Sequence, residues 1–399
     1  MSKKRTLPLL TIFLAEVFLF IAIFGLSYKL AKTWLFPTEI KSTPVEKQKN
    51  NTPNQKLRGS YLVSGDVFWG RAIDLYAQQT SLGYDWPFSR LSDFERSKYD
   101  SWIADLECPI TDKKVPYQVQ VDSLVFSCSP AYLDAAKKWF DVFTLANNHT
   151  DNTGADGFAD TRSNLTAAGR QYFGHYDISQ KDELCEVISL SVKLDDQASK
   201  LPIAMCGYHW LARVPTDEEL AQISKYAAYF PVWVFPHGGT EYATHSNVQQ
   251  QTLYRQMIDL GADVIFADHP HVVQETESYK GRLIVYDLGN LIFDQWFDAE
   301  VTKSLIINIR ISTENSAQLK PYLDLASSCS TFQDNCLEQA EKKQLKAYKL
   351  DYSYDIICGE RSAASLNDKL THKCSQNSNN WLLERTNWSN TTTQLQQVD

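Results

Sequence analysis

Five segments of this chain share one pattern, a short apolar run that ends at once on an Asp, Glu, Asn or His. YLVSGDVFWGR (61–71) ends on Asp66, WIADLECPI (102–110) carries Asp105 and Glu107, and FTLANNHTDNTG (143–154) carries Asn148 and His149. VWVFPHGGTEY (232–242) ends on His237, and VIFADHPHV (264–272) leads into His269 and His271. Carboxylates, amide oxygens and imidazoles gathered from strand ends are ligands for a hard or borderline divalent cation. The mixed set points to Mn, Fe or Zn rather than to an all-oxygen calcium cage. One such residue after a strand is ordinarily a turn or surface group. His269-Pro270-His271 says more, because two imidazoles spaced by a rigid proline can address one centre. Together the five segments predict a site for one or two transition-metal ions. His175, His209, His245 and His372 stand in no such pattern and read as ordinary surface or core residues.

Those ligands need a scaffold that delivers them to one place. Ser129 can cap a helix from Pro130 to Trp139, which leads into the buried-strand run DVFTLA (141–146). The pattern recurs: Asn247 can cap a helix reaching Leu260, Gly261 suits its stop, and ADVIFA (262–267) is again a buried strand. In open α/β sheets ligands collect at the carboxyl ends of strands, so the histidine-bearing loops NNHTDNTG and DHPH predict a composite site. The α/β domain is expected over 61–325.

The flanks have their own character. Lys3, Lys4 and Arg5 precede an apolar run from Leu7 to Tyr28, long enough for a bilayer core of about 30 Å. That predicts an uncleaved anchor (1–35) with a cytoplasmic tip and everything beyond it outside. Glu16 within the run is either protonated and tolerated or a contact to a partner's membrane helix. Residues 36–60 are polar, with prolines and lysines, and read as a flexible spacer. Residues 326–399 hold Cys329, Cys336, Cys358 and Cys374 and are expected to form a disulfide-stapled extension ending in a disordered tail. Cys108, Cys128, Cys185 and Cys206 either pair or serve as small buried hydrophobes; eight cysteines suit an oxidising compartment. A net charge of -9 argues against a nucleic-acid partner.

GDVFWGR, ADLECPI, LANNHTDNTGADGFADT, HGGTEY, GADVIFADHPHVVQ and LIVYDLGNLIFDQ, in this order, resemble the motif series of the CapA (PgsA-type) capsule-synthesis family. That family resembles calcineurin-like metallophosphoesterases. The resemblance implies a four-layer α/β/β/α sandwich with a metal centre between two sheets. It makes Asp66, Glu107, Asn148, His237, His269 and His271 metal ligands, and His149 the group that protonates a leaving oxygen. Arg71 becomes a candidate for stabilising and holding an anionic substrate, and Asn290 either holds substrate or shapes a turn. Departures from the phosphoesterase pattern are Phe68 for a histidine, Asp105 for an asparagine, Asp268 for a histidine, and Asn152 for an aspartate. Two roles follow. One is metal-dependent hydrolase or transferase chemistry on a phosphoester or on an anionic polymer such as poly-γ-glutamate. The other is a non-catalytic subunit of a polymer synthase or exporter in the membrane, its metal structural or gripping polymer carboxylates.

Overall fold

A computed structural model of the chain describes residues 56–314, 316–326, 329 and 336–395. The expected anchor, Glu16 and most of the spacer lie outside the described residues. Among the described residues no helix is long and apolar enough to cross a membrane.

The first strands are β1 (Leu57–Val67), β2 (Ser101–Leu106), β3 (Val142–Thr144), β4 (Gln171–Phe173), β5 (Cys185–Leu194) and β6 (Gln197–His209). They are followed by β7 (Val232–His237), β8 (Val264–Phe266), β9 (Thr276–Tyr279), β10 (Arg282–Val285), β11 (Lys303–Thr313), β12 (Asp351–Glu360) and β13 (His372–Lys373). The helices that bear on the site are α1 (Arg71–Ala77), α2 (Gly154–Ala167), α3 (Asp217–Ala227), α4 (Val248–Asp259), α5 (Gln376–Arg385) and α6 (Trp388–Leu395).

All 13 described strands are linked by hydrogen bonds, and the sheet branches at β1. One arm is parallel, β1-β2-β3-β4. The other starts where Leu57 and Arg58 meet β5 and runs through β6, β7, β8 and β10 to β9. On its remaining side β1 pairs antiparallel with β11. The fold is thus mixed α/β, as expected, with its strands joined at β1.

Alternation along β1 feeds two cores. Tyr61 and Val63 face the strands from β5 to β8 with the apolar sides of α3 and α4. Leu62 and Val67 face Trp69, Trp102 and Phe143. The cap reading at Asn247 holds: its side chain accepts from Gln250 N–H, the Gln250 side chain reciprocates, and Gly261 beyond the helix has φ +114°. The Ser129 hydroxyl accepts from Ala131 N–H, but it opens a 3-10 turn and then only a single α-turn at Leu133–Ala136.

The region beyond 325 differs from the sequence reading. β12 pairs antiparallel with β11 from Lys303 to Ser312, so residues 351–360 widen the same sheet rather than append to it. Tyr352, Tyr354 and Ile356 alternate with Asp351, Ser353 and Asp355, the period of a half-buried strand. The end of the chain is helical through Leu395, with Trp388 buried in the core, where a disordered tail was expected.

No cysteine is free. Cys108 pairs with Cys128, Cys185 with Cys206, Cys329 with Cys336, and Cys358 with Cys374. Cys185 and Cys206 face each other across β5 and β6.

Candidate metal centre

The centre begins at a fault in β1. Its register against β2 shifts between Ser64 and Asp66, which turns the Asp66 side chain out of the regular alternation. Gly65 at this bulge has no room for a side chain: a Cβ would lie 2.2 Å from the Gly289 carbonyl oxygen and 2.6 Å from Asp268 Oδ1. The Asp66 carbonyl then accepts from Leu291 and Ile292 N–H at 2.9 and 3.1 Å, tying the loop after β10 to the end of β1.

Asp66, Asp105, Glu107 and His237 each bring a ligand atom to within 4.8 Å of one another, and all four are buried. They are not equivalent. Asp105 has both oxygens engaged, one with His237 Nδ1 at 2.7 Å and one accepting from Asn147 Nδ2 at 2.7 Å. A carboxylate on Nδ1 fixes the ring and presents Nε2 as the ligating nitrogen. His237 Nε2 faces Asn148 Oδ1 at 2.8 Å and Glu107 Oε1 at 3.1 Å. Despite that approach, neither Glu107 oxygen completes a hydrogen bond. Of the two asparagines, Asn147 is spent on scaffold, since its Oδ1 accepts from His149 and Thr150 N–H at 3.0 Å each.

The HPH segment approaches the same carboxylates. His271 Nδ1 lies 2.8 Å from Asp66 Oδ2. The His269 ring is 5.0 Å from that of His237 and 5.9 Å from that of His271. Both histidines have positive φ, +107° at His269 and +60° at His271. Backbone strain of this kind persists only where the surroundings impose it, and it clusters at functional sites.

Five buried atoms here have no hydrogen-bond partner: Asp66 Oδ1, both Glu107 oxygens, Asp268 Oδ1 and His269 Nδ1. An unpaired buried carboxylate is strongly unfavourable. Its neighbours make matters worse. Burial, then the Asp66 charge, pushes Glu107 up to about 7. The same two causes hold Asp268 and Asp287 well above the usual carboxylate range, and burial raises Asp105. Burial opposes charge on His271, yet Glu107 and Asp66 carry it to about 9. His237 is likewise raised, with Asp105 and Glu107 outweighing burial. A divalent cation is the group that such a set of oxygen and nitrogen donors fits.

Three residues expected to do chemistry are otherwise occupied. His149 is buried, and its Nδ1 lies 2.9 Å from Asn152 Oδ1, which also accepts from Phe126 N–H at 2.7 Å. That oxygen has no proton to give, so Nδ1 carries the hydrogen and Nε2 is left as an acceptor. Burial lowers the His149 pKa to about 3. Arg71 forks onto Asp294 with Nε at 3.1 and 3.0 Å, and Phe126 stacks on both His149 (4.0 Å) and the Arg71 guanidinium (4.3 Å). Asn290 is fully buried; its Nδ2 donates to Gln295 Oε1 at 2.9 Å and its Oδ1 lies 3.0 Å from His271 Nδ1. It shapes the centre and has nothing left to offer a substrate.

Asp268 was legible only as a departure from a motif, yet one of its buried oxygens is left without a partner beside the centre. Phe126 carried no sequence signal, and Asp294 stood in the last quoted motif with no role assigned; each acts on a residue far away in the chain.

A mixed α/β protein with a buried acidic and histidine centre, able to hold a metal ion, is the class this arrangement defines. The chain belongs to the bacterial capsule synthesis protein family PGA_cap, whose model matches residues 60–295. Capsule biosynthesis protein CapA of Bacillus anthracis is 30% identical over 294 residues, 69% of this chain and 68% of its own. PGA biosynthesis protein CapA of Bacillus subtilis (strain 168) is 28% identical over 268 residues, 62% of this chain and 67% of its own. The crystal structure of the Thermus thermophilus protein TT1561 is similar over 62% of this chain and 93% of that one. Its TM-score of 0.35 and identity of 10% are too low to bear on function.

Proposed function

We propose that this protein serves the synthesis or export of an anionic capsule polymer of the poly-γ-glutamate kind, outside the membrane to which its N-terminal segment ties it. Its centre holds one or two divalent ions of Mn, Fe or Zn. Membership of a capsule-synthesis family supports the setting, and the Lys3–Arg5 cluster before an apolar run supports the anchor. The branch at β1, with a core on each side, supports a four-layer α/β/β/α arrangement. Membrane subunits of a polymer synthase or exporter are the partners such an anchor would meet.

The observation that carries the metal reading is the set of buried donors without partners. Asp66, Glu107, Asn148, His237, His269 and His271 would hold the cation, Asp268 adds a seventh donor, and Asp105 orients His237. When bound, the cation supplies a Lewis acid and a fixed positive charge for carboxylate or phosphoryl oxygens.

Between the two roles, the residues around the centre favour gripping over hydrolysis. A general acid must hold its proton near the working pH. His149 is neutral, has an amide at Nδ1 where a carboxylate would stabilise the imidazolium, and would be pushed lower still by a nearby cation. Arg71 is neutralised by Asp294. The chain therefore presents polymer carboxylates with a cation and no proton donor at His149.

Elemental analysis tests the centre: wild-type protein retains metal, and a His269→Ala, His271→Ala double variant loses most of it while staying folded. Equal metal in both overturns the ligand set. His149→Ala separates the roles in capsule-forming cells. Under the gripping role it keeps metal and capsule; lost capsule with metal retained would return the site to hydrolysis.

A further inference from the structure

We infer that Arg361, which lies beyond the family-matched residues, is a positioning residue of the metal centre, holding the Asn290–Leu291 backbone against which Asp66 and His271 are set. It extends the metal reading above and rests on it.

Arg361 follows directly on β12 and is only 3% exposed. Its Nη1 donates to the Asn290 carbonyl at 2.7 Å and approaches that of Leu291 at 3.5 Å, and its Nη2 donates to the Val301 carbonyl at 2.5 Å. Among the described residues it forms no ion pair, and its Nε has no partner. Isolated burial of a guanidinium is unfavourable, and packing alone would be better served by an apolar side chain of similar volume. A reason for charge is nearby. Burial lowers Arg361 to about 9, while Asp294 and Asp66 act in the opposite direction. The guanidinium thus stands behind a group of buried carboxylates, clamping their loop by its carbonyls.

The clamp has two further members. Thr371 Oγ1 donates to the Leu291 carbonyl, and Ser304 Oγ joins Arg361 on the Asn290 carbonyl. Arg361 and Thr371 are brought side by side because β12 and β13 pair as Gly359 with Lys373 and Glu360 with His372, and the Cys358–Cys374 disulfide closes that ladder. From the clamped segment two contacts lead into the centre. Leu291 N–H donates to the Asp66 carbonyl at 2.9 Å, and Asn290 reaches His271 through Oδ1 at 3.0 Å to Nδ1 and Nδ2 at 3.3 Å to the carbonyl. Releasing Arg361 therefore loosens one carboxylate and one imidazole without touching either.

The test uses the purified full chain titrated with Mn²⁺ by electron paramagnetic resonance and with Co²⁺ by visible absorption. Arg361→Met, with its melting transition retained, should bind Mn²⁺ about 10–100-fold more weakly than wild type, the usual effect of losing a partner behind a ligand. The Co²⁺ spectrum should change, and Arg361→Lys should recover part of both. Thr371→Val should shift both in the same direction by less. A folded Arg361→Met with wild-type affinity and spectrum overturns the inference. If Arg361→Met does not fold, Thr371→Val decides, and an unchanged affinity and spectrum there overturns it equally. A wild-type protein that takes up neither cation would sink the metal reading itself, and this inference with it.

Discussion

The metal centre is buried and the junction between β12 and α5 is partly open to solvent; both are charged, but they satisfy their charges in opposite ways. At the junction Glu360 accepts from Lys303 Nζ at 2.8 Å, from Ser378 Oγ and from Ser375 N–H at 2.7 Å. Lys303 also reaches Ser378 Oγ at 3.0 Å. Each group there has a partner in the chain. At the centre neither Glu107 oxygen completes a hydrogen bond, despite the approach of His237 Nε2, and Asp66 and Asp268 each keep one oxygen unpaired. A satisfied cluster holds the fold together, whereas an unsatisfied one must be completed from outside.

The sharpest way to test that contrast is to break the pair at the rim. Arg71 and Asp294 are nearly buried and fully engaged with each other. Arg71→Ala or Asp294→Ala should each lower unfolding stability by about 3–5 kcal/mol, because a buried charge is left alone. Denaturant midpoints would read this, and the double variant should lose less than the sum. Single losses under about 1 kcal/mol would mean that water reaches the pair, and the contrast would weaken.

At the centre the same operation should have the reverse sign. Without metal, Glu107→Gln removes a buried charge that completes no hydrogen bond and that Asp66 repels, so the variant should melt no lower than metal-free wild type. With Mn²⁺ at a hundred times its dissociation constant, wild type should gain about 2.7 kcal/mol, and the variant should gain almost nothing. Chelation should return wild type to its metal-free melting point. A Glu107→Gln protein that is destabilised without metal would show that the carboxylate already has a partner in the fold.

The smallest effect is expected at the satisfied junction, in acid. Burial works to raise the Glu360 pKa, but Lys303, Ser378 and the Ser375 N–H prevail and bring it down to about 2. A carboxyl depressed below its unfolded value of about 4.3 stabilises the fold above that pH, and the contribution is lost as pH falls towards 2. Glu360→Gln should flatten this part of the acid stability curve by a few tenths to about 1 kcal/mol, since the site is partly open to solvent. Identical curves for the two proteins between pH 5 and 2 would remove the junction from the comparison.

Much of the centre was readable because its donors follow apolar runs within one segment: Asp66 near the end of the first strand, His237 after Val232–Pro236, His269 and His271 after Val264–Phe266. The Asn247 capping box was readable for the same reason, being complete within four residues. Asp105 was visible as a polar residue on a strand, but not that both its oxygens are engaged, because Asn147 and His237 lie 42 and 132 positions away. His149 was visible, but its protonation depends on Asn152 and on enclosure by Phe126. The strand at 351–360 has a clean alternation; assigning that stretch to an appendage hid it, since pairing with β11 is a long-range choice that no local pattern states.

The disulfides carry one more consequence. Each cysteine is bonded to the next in the sequence, with separations of 20, 21, 7 and 16 residues. No bridge encloses or crosses another. A chain that emerges in sequence order can therefore close every bridge with the very next thiol to appear. Disulfide exchange, which is needed when early thiols must await late ones, has no wrong pairing to undo if oxidation keeps pace with emergence. The order of the cysteines is itself a set of instructions for building the protein while it is still arriving.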